Sequence, residues 1–402
     1  MPRKRQRWYG QSSDANLNDA ARRECRGLHP FEEHSRSGAA SALEGCHSFH
    51  RRRAHYWIVL AAAMLAAVMA PRAAAQVAEP SEIVLPSRMV ATEPATLAVL
   101  DRFGRLVPRI AVTFSDGSHT ETDVAGRAFF PAPSQPGAVV ARVATKPEIA
   151  AAAVVLPYSP SAKLHVASVP ALASVQDRFE IRGDGFRGDA GGNQVKFRED
   201  PALVLASSPA CLVLLLNPSS TYGTGQLTVS VDGQETSATL TAVSVEFDVG
   251  DQTIAPGIKA KLTVRVRGTD QAQFLDVQNL APNVLRFMHG DEEHTRTRGG
   301  VDNSTIMDVQ GVRAGDFSFR VRVLPATFGV ADVEAAHALL AAAQKEAPAP
   351  WAHKLDPLLA RLERPNTETP QLIKHLDKMM EEAPGGDFVI LLRAARQALY
   401  GR

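Results

Sequence analysis

Between residues 80 and 328 the apolar residues of this chain recur at every second position, in runs short enough for strands. Leu97 and Val99 form one such run, and Ile110, Val112 and Phe114 another. Leu227, Val229 and Val231 follow, then Val243, Val245, Phe247 and Val249, then Leu262, Val264 and Val266, and last Phe317, Phe319, Val321 and Val323. Successive side chains of an extended chain point to opposite faces, so each run sets one face on a core and the other in water. Gly, Pro, Asp and Asn separate the runs, and no helical period comes between them. Parallel strands need a crossover, usually a helix, so the pattern predicts antiparallel sandwiches.

After Phe328 the period lengthens. Leu355, Leu358, Leu359 and Leu362 stand at i, i+3, i+4 and i+7, which is one stripe of a helix. Thr369-Pro370 reads as a cap and first-turn proline before Leu372, Ile373, Leu376, Met379 and Met380. Asp387 opens a last helix with an apolar face of Phe388, Leu391, Leu392, Ala395 and Leu399. With Val333 to Ala347, the segment 329–402 is expected to be a small domain of about four helices. Trp351 is assigned to packing between them.

At the other end, Arg51-Arg52-Arg53, an apolar stretch from Tyr56 to Ala70, and Ala73-Ala74-Ala75 occur in that order. Basic, apolar, then small is the layout of a cleavable export signal, with Gln76 as the new N-terminus. The apolar stretch is short for a membrane span. Residues 1–50 are polar and arginine-rich without apolar period; they are read as a disordered extension or as lying before the true start.

The formal net charge of +1 over 402 residues hides an asymmetry. Residues 1–75 carry 12 Lys and Arg against 6 Asp and Glu, and the remainder carries 32 against 37. A mildly acidic body offers no electrostatic footprint for a phosphate backbone, so nucleic acid is excluded as a partner. Of the three cysteines only Cys211 follows the export signal, so no intramolecular disulfide is expected there. It sits in the apolar run Cys211-Leu212-Val213-Leu214-Leu215-Leu216 and is read as a buried, inert thiol.

The stretch 180–197, EIRGDGFRGDAGGNQVKF, contains Arg-Gly-Asp twice. Ile181, Gly183, Gly185 and Phe186 followed by Val195 and Phe197 fill the positions of an I-x-G-x-G-F hairpin and its V-x-F return strand. On these residues segment 163–242 resembles the IPT/TIG domain, an immunoglobulin-like sandwich. Segment 80–156 has Asp101-Arg102-Phe103-Gly104 and Asp123-Val124-Ala125-Gly126 turns and an Asp116-Gly117 hairpin. It resembles bacterial immunoglobulin-like domains of the invasin and intimin type, and more loosely a transthyretin-like domain. Neither resemblance implies catalytic residues. Segment 243–328 reads as a further β-rich sandwich without a family likeness. The expected fold is therefore mainly β: tandem immunoglobulin-like antiparallel sandwiches followed by a small α-helical C-terminal domain.

The resemblance makes Gly183 and Gly185 turn residues and Arg182 and Asp184 surface residues, so the first tripeptide is a by-product of the hairpin. The second, Arg187-Gly188-Asp189, falls in the following loop, where exposure is expected. Asp184, Asp189 and Asn193 offer oxygen ligands around glycines, but each also suits a turn and the spacing is not that of an EF-hand. His289-Gly290-Asp291-Glu292-Glu293-His294 is the densest set of metal-ligand types, with His289, His294 and Asp291 as candidates. It lies between strands and lacks the i, i+4 spacing of H-E-x-x-H, so a solvated hairpin is the simpler reading and no metal or cofactor is assigned.

No nucleophile elbow, phosphate loop or dinucleotide fingerprint is present. The expectation is an exported, non-catalytic structural or interaction protein, resident in the periplasm, secreted or at the cell surface. It is assigned to cell-envelope adhesion or assembly, with an envelope or surface protein, or a polysaccharide, as partner and the membrane met only through the export signal. The alternatives are an accessory carbohydrate- or polymer-binding module and a hydrolase with a site in 243–328. Past residue 75 the aromatic residues suited to stacking on sugar are only Trp351, Tyr158, Tyr222 and Tyr400, which counts against the carbohydrate reading.

Overall fold

The computed structural model describes residues 78–402 except 160–162, 250–253, 271–272, 290–293, 299–302, 316, 326–330, 365–368 and 401–402. The expected signal at 51–75 and the extension at 1–50 lie outside the described residues. From Ala78 onward the chain forms one compact unit, mainly β, with four helices among the described residues at its C-terminal end.

The first sandwich has β1 (Pro80–Val84), β3 (Pro94–Asp101) and β6 (Arg127–Pro131) in one sheet. The other contains β2 (Arg88–Val90), β8 (Lys146–Leu156), β7 (Gly137–Val143), β4 (Ala111–Phe114) and β5 (His119–Glu121), in that order. β2 runs parallel to β8 and the other pairs are antiparallel. An opening strand divided between two sheets in this way is immunoglobulin-like. Alternation sets the core: Val112 and Phe114 are buried, whereas Ala111 and Thr113, which alternate with them, are exposed. The Asp-x-x-Gly turns close through the carboxylates. Asp101 accepts from the Phe103 and Arg105 N–H groups, and Asp123 from those of Ala125 and Arg127.

The second sandwich repeats the order. One sheet is β9 (His165–Ser168), β11 (Phe179–Asp184), β14 (Cys211–Leu215) and β13 (Asp200–Ser208). The other is β10 (Leu172–Ser174), β16 (Gln234–Asp248), β15 (Gly223–Val231) and β12 (Gln194–Phe197), the last returning to β13. Ile181, Phe186, Val195 and Phe197 are buried in its core.

β16 then passes without interruption into the third sandwich. Leu240 and Ala242 belong to the second core, Val243 and Val245 to the third. Neighbouring side chains on an extended strand point to opposite sides, so the two cores lie on opposite faces of one strand. The Gln176 side chain braces the crossing point, donating to the Val245 carbonyl at 2.9 Å and accepting from its N–H at 2.9 Å. β17 (Lys259–Arg267), β21 (Ser304–Gly311) and β19 (Leu285–Phe287) extend this sheet. It faces β20 (His294–Arg298), β18 (Gln273–Asn279) and β22 (Phe319–Pro325) across a core that includes Phe287 and Phe319. Phe317, read from the alternation as part of the last strand, lies before it and is exposed.

Helices α1 (Val333–Glu346), α2 (Ala349–Leu362), α3 (Thr369–Glu382) and α4 (Asp387–Tyr400) each bury one apolar stripe. Trp351 packs against Phe388 with ring centroids 5.9 Å apart. The helical core is completed by the first sandwich: Val140 on β7 and Val154 on β8 are buried in it, with Ala138, Ala150, Ala152 and Leu156 packed around them. Small side chains let helices approach a sheet closely, which explains the alanine-rich sequence of β8. A hydroxyl in that apolar contact would lose its water without gaining a partner. Val154→Thr is expected to lower stability by about 1–3 kcal/mol in urea unfolding, whereas Thr113→Val on the exposed side of β4 changes it little.

Candidate functional site

A buried polar cluster lies where the first two sandwiches meet α1. Asp332 caps α1, accepting from the Ala335 N–H at 3.0 Å. Its side chain is 3% exposed and also accepts from two guanidinium groups: Arg88 on β2, with Nε at 2.6 Å, and Arg182 on β11, with Nη1 at 2.8 Å. Burial by itself would raise the Asp332 carboxyl. The Arg88 hydrogen bonds, the Ala335 N–H and the two positive charges outweigh it and hold the group below its ordinary value.

Next to this triad Glu180 accepts from both the hydroxyl and the N–H of Ser87. Burial pushes the Glu180 carboxyl up, against the pull of the Ser87 hydrogen bond and the Arg182 charge. Cys211 is fully buried beside it, and burial together with the Glu180 charge drives its thiol well above its usual range. Such a thiol is protonated at neutral pH and enclosed, so it is not a nucleophile.

A second cluster joins the three sandwiches. Glu82 on β1 pairs with Arg178, and with Arg320 of β22 at 3.2 Å; Arg320 also donates to the Arg102 carbonyl at 3.2 Å. Arg322 pairs with buried Asp177 at 3.1 Å. In both clusters the charges bridge modules.

Arg182 is therefore not the surface residue expected from the hairpin resemblance. It is largely enclosed and held by Asp332. Asp184 is exposed at the end of β11. Gly183 has its reason in packing: a Cβ there would stand 2.0 Å from the His165 carbonyl oxygen of the neighbouring strand. Gly185 has φ +77°, the left-handed region that glycine enters without a steric penalty.

In the second tripeptide Arg187 and Asp189 are exposed, but Gly188 is buried between the sandwiches. Its carbonyl accepts from Thr96 and Ser207, each at 2.7 Å, and a Cβ on it would lie 1.9 Å from the Pro94 carbonyl oxygen. Arg187 pairs with Asp232 at 3.3 Å. Asp189 caps the 3-10 turn Ala190–Gly192. The Asn193 amide donates to the Arg187 and Asp189 carbonyls and accepts from the Arg187 N–H. These side chains close the loop on itself.

His289 is exposed, its Nε2 3.5 Å from Asp308. Asp291 and its neighbours from Gly290 to Glu293 lie outside the described residues. His294 opens β20, in the opposite sheet from β19, which ends two residues before His289. No group of three metal-ligand side chains lies together among the described residues. On the outer face of the second sandwich Gln194, Lys196, Arg198, Thr228, Ser230 and Glu235 line an open polar depression.

Asp332, Arg88 and Glu180 escaped the sequence reading. Asp332 stands before a helical stripe, a recognisable cap position, but nothing local reveals its two arginines, 244 and 150 residues away.

No family model matches the chain, and no curated protein matches its sequence. Among solved structures it is similar to SGBP-B of the Bacteroides ovatus mixed-linkage glucan utilization locus, solved with a mixed-linkage heptasaccharide. The identity is 12%, over 62% of this chain and 76% of that one, with a TM-score of 0.21. The N-terminal four Ig domains of Dscam1 isoform 6.44 are 9% identical over 59% and 73%, with a TM-score of 0.20. Domains 1–6 of the surface layer protein SbsC are 12% identical over 61% and 38%, with a TM-score of 0.16. Superpositions this loose carry no argument about this chain, and its fold is read from its own strand order.

Replacing Asp332 by Ala strands two guanidinium groups in the interface, and urea unfolding at neutral pH is expected to register a loss of about 3–5 kcal/mol. The folded pKa of Asp332 lies below its ordinary 3.8, so its stabilisation is present above 3.8 and is lost as pH falls through the folded value. Glu180 shifts the other way. Between its ordinary 4.5 and its raised folded value the folded state binds more protons, so stability falls as pH rises through that window. Glu180→Gln is expected to remove that fall, measured as unfolding free energy against pH.

Proposed function

We propose that this protein is an exported, non-catalytic binding or structural component of the cell envelope, resident in the periplasm, secreted or at the surface. Its modules are taken as 80–156, 163–242, 243–328 and 329–402, the second of the IPT/TIG kind. The steric demand at Gly183 and the positive φ at Gly185 support that assignment, since both glycines of the hairpin pattern have a physical need to be glycine.

One observation carries the functional reading. Glu180, whose carboxyl is raised, Asp332, whose carboxyl is lowered, and Cys211, whose thiol is raised well above its usual range, sit in one buried junction between modules. A catalytic site needs perturbed groups that a substrate can reach; here the perturbation comes from holding modules together. Among the described residues no helix is long and apolar enough to cross a membrane.

A second reading, binding of a polysaccharide or other polymer, draws on the polar depression around Lys196, Arg198 and Thr228. Affinity capture from envelope extract with the exported chain as bait separates the two. Retention of one specific envelope protein is expected; an empty bait together with a response on a glycan array or hydrolase panel would sink the first reading. N-terminal sequencing of the exported protein is expected to begin at Gln76, and a start before residue 50 would refute cleavage.

A further inference from the structure

One end of the third sandwich combines exposed apolar side chains with a basic rim. The β17–β21 ladder continues past the strands. Gly311 donates to the Ile258 carbonyl at 3.0 Å and Gly257 to the Gly311 carbonyl at 2.8 Å, while Val312 donates to the Val284 carbonyl at 2.8 Å. The segment after Val312 wraps the same point, because a Cβ on Gly315 would stand 3.0 Å from Val284. Three loops therefore meet at one end, beyond Ala260, the first buried residue of β17. There Ile258 is 53% exposed and Val312 43%.

Cations flank these side chains. Lys259 and Arg286 stand on either side of Gln310 in the same register row, on the outer face of the sheet. Arg313 is exposed beside Val312. In the adjoining row Lys261 lies opposite Asp308, the carboxylate that His289 approaches. Asp316, in the same loop by sequence, lies outside the described residues.

From this geometry we infer that the end of the third sandwich docks on an anionic lipid surface, a contact beyond the export signal and beyond the envelope-binding reading. Ile258 and Val312 decide the partner class. Aliphatic side chains offer a sugar neither a hydrogen bond nor a stacking face, whereas they gain free energy by leaving water for the headgroup–acyl boundary. Lys259 and Arg313 meet the headgroup charge, an attraction that fades within a Debye length and with added salt.

Co-sedimentation of the exported chain with phosphatidylcholine vesicles, and with equal parts phosphatidylcholine and phosphatidylglycerol, tests it. Binding is expected to the mixed vesicles only and to weaken as salt is added. Arg313→Glu is expected to weaken it about fivefold or more, and Ile258→Asp to weaken it with the thermal unfolding profile unchanged. Leu203→Asp, exposed on the second sandwich, leaves it intact. No binding to the mixed vesicles, equal binding by both variants and the parent, or binding only to an acidic polysaccharide would each overturn the proposal. Protein capture from the envelope extract is independent of these outcomes.

Discussion

The architecture depends on a single carboxylate. Asp332 caps the first helix and accepts from Arg88 and Arg182, each carried by a different sandwich. A lone carboxylate buried to this degree would be protonated, and two lone guanidiniums would need water. Together they satisfy one another, at a point where the helix N-terminus also favours negative charge. The net gain from such a cluster is modest because desolvation offsets attraction. What it contributes is geometry: the charges are compatible with burial in one arrangement of three modules.

Apolar contact surrounds that point on both sides. Val84, Ala98 and Leu100 of the first sandwich meet Leu205, Cys211 and Val213 of the second, and the helices close over β7 and β8. The shared strand β16 joins the second and third sandwiches covalently and through two cores at once. Consecutive modules therefore form a folded-back body, with the C-terminal helices resting on the first sandwich.

This arrangement explains which parts were legible in the sequence. Strands with one face in water kept their alternation, as in Val112 and Phe114, and the Asp-x-x-Gly turns announced themselves because a carboxylate two residues before an N–H closes a local hydrogen bond. Strands covered on both faces lost it. Residues 150–155 on β8 and Cys211 to Leu214 on β14 read as plain apolar runs. Glu180 and Arg182 show the opposite failure: they occupy the outward positions beside Ile181, where period two assigns water, and the first sandwich and α1 cover them instead.

Locally encoded features were thus determined by the sequence alone: strand and helix periods, turn chemistry, the helix stripes, and glycine at position 185. Each depends on residues a few positions apart, so spacing is enough. Which outward faces stay outward was decided only in the tertiary structure, because packing between segments more than a hundred residues apart leaves no trace in local spacing. That is why the first Arg-Gly-Asp tripeptide, Arg182-Gly183-Asp184, has its arginine inside a junction between sandwiches and its glycine pressed against the neighbouring strand.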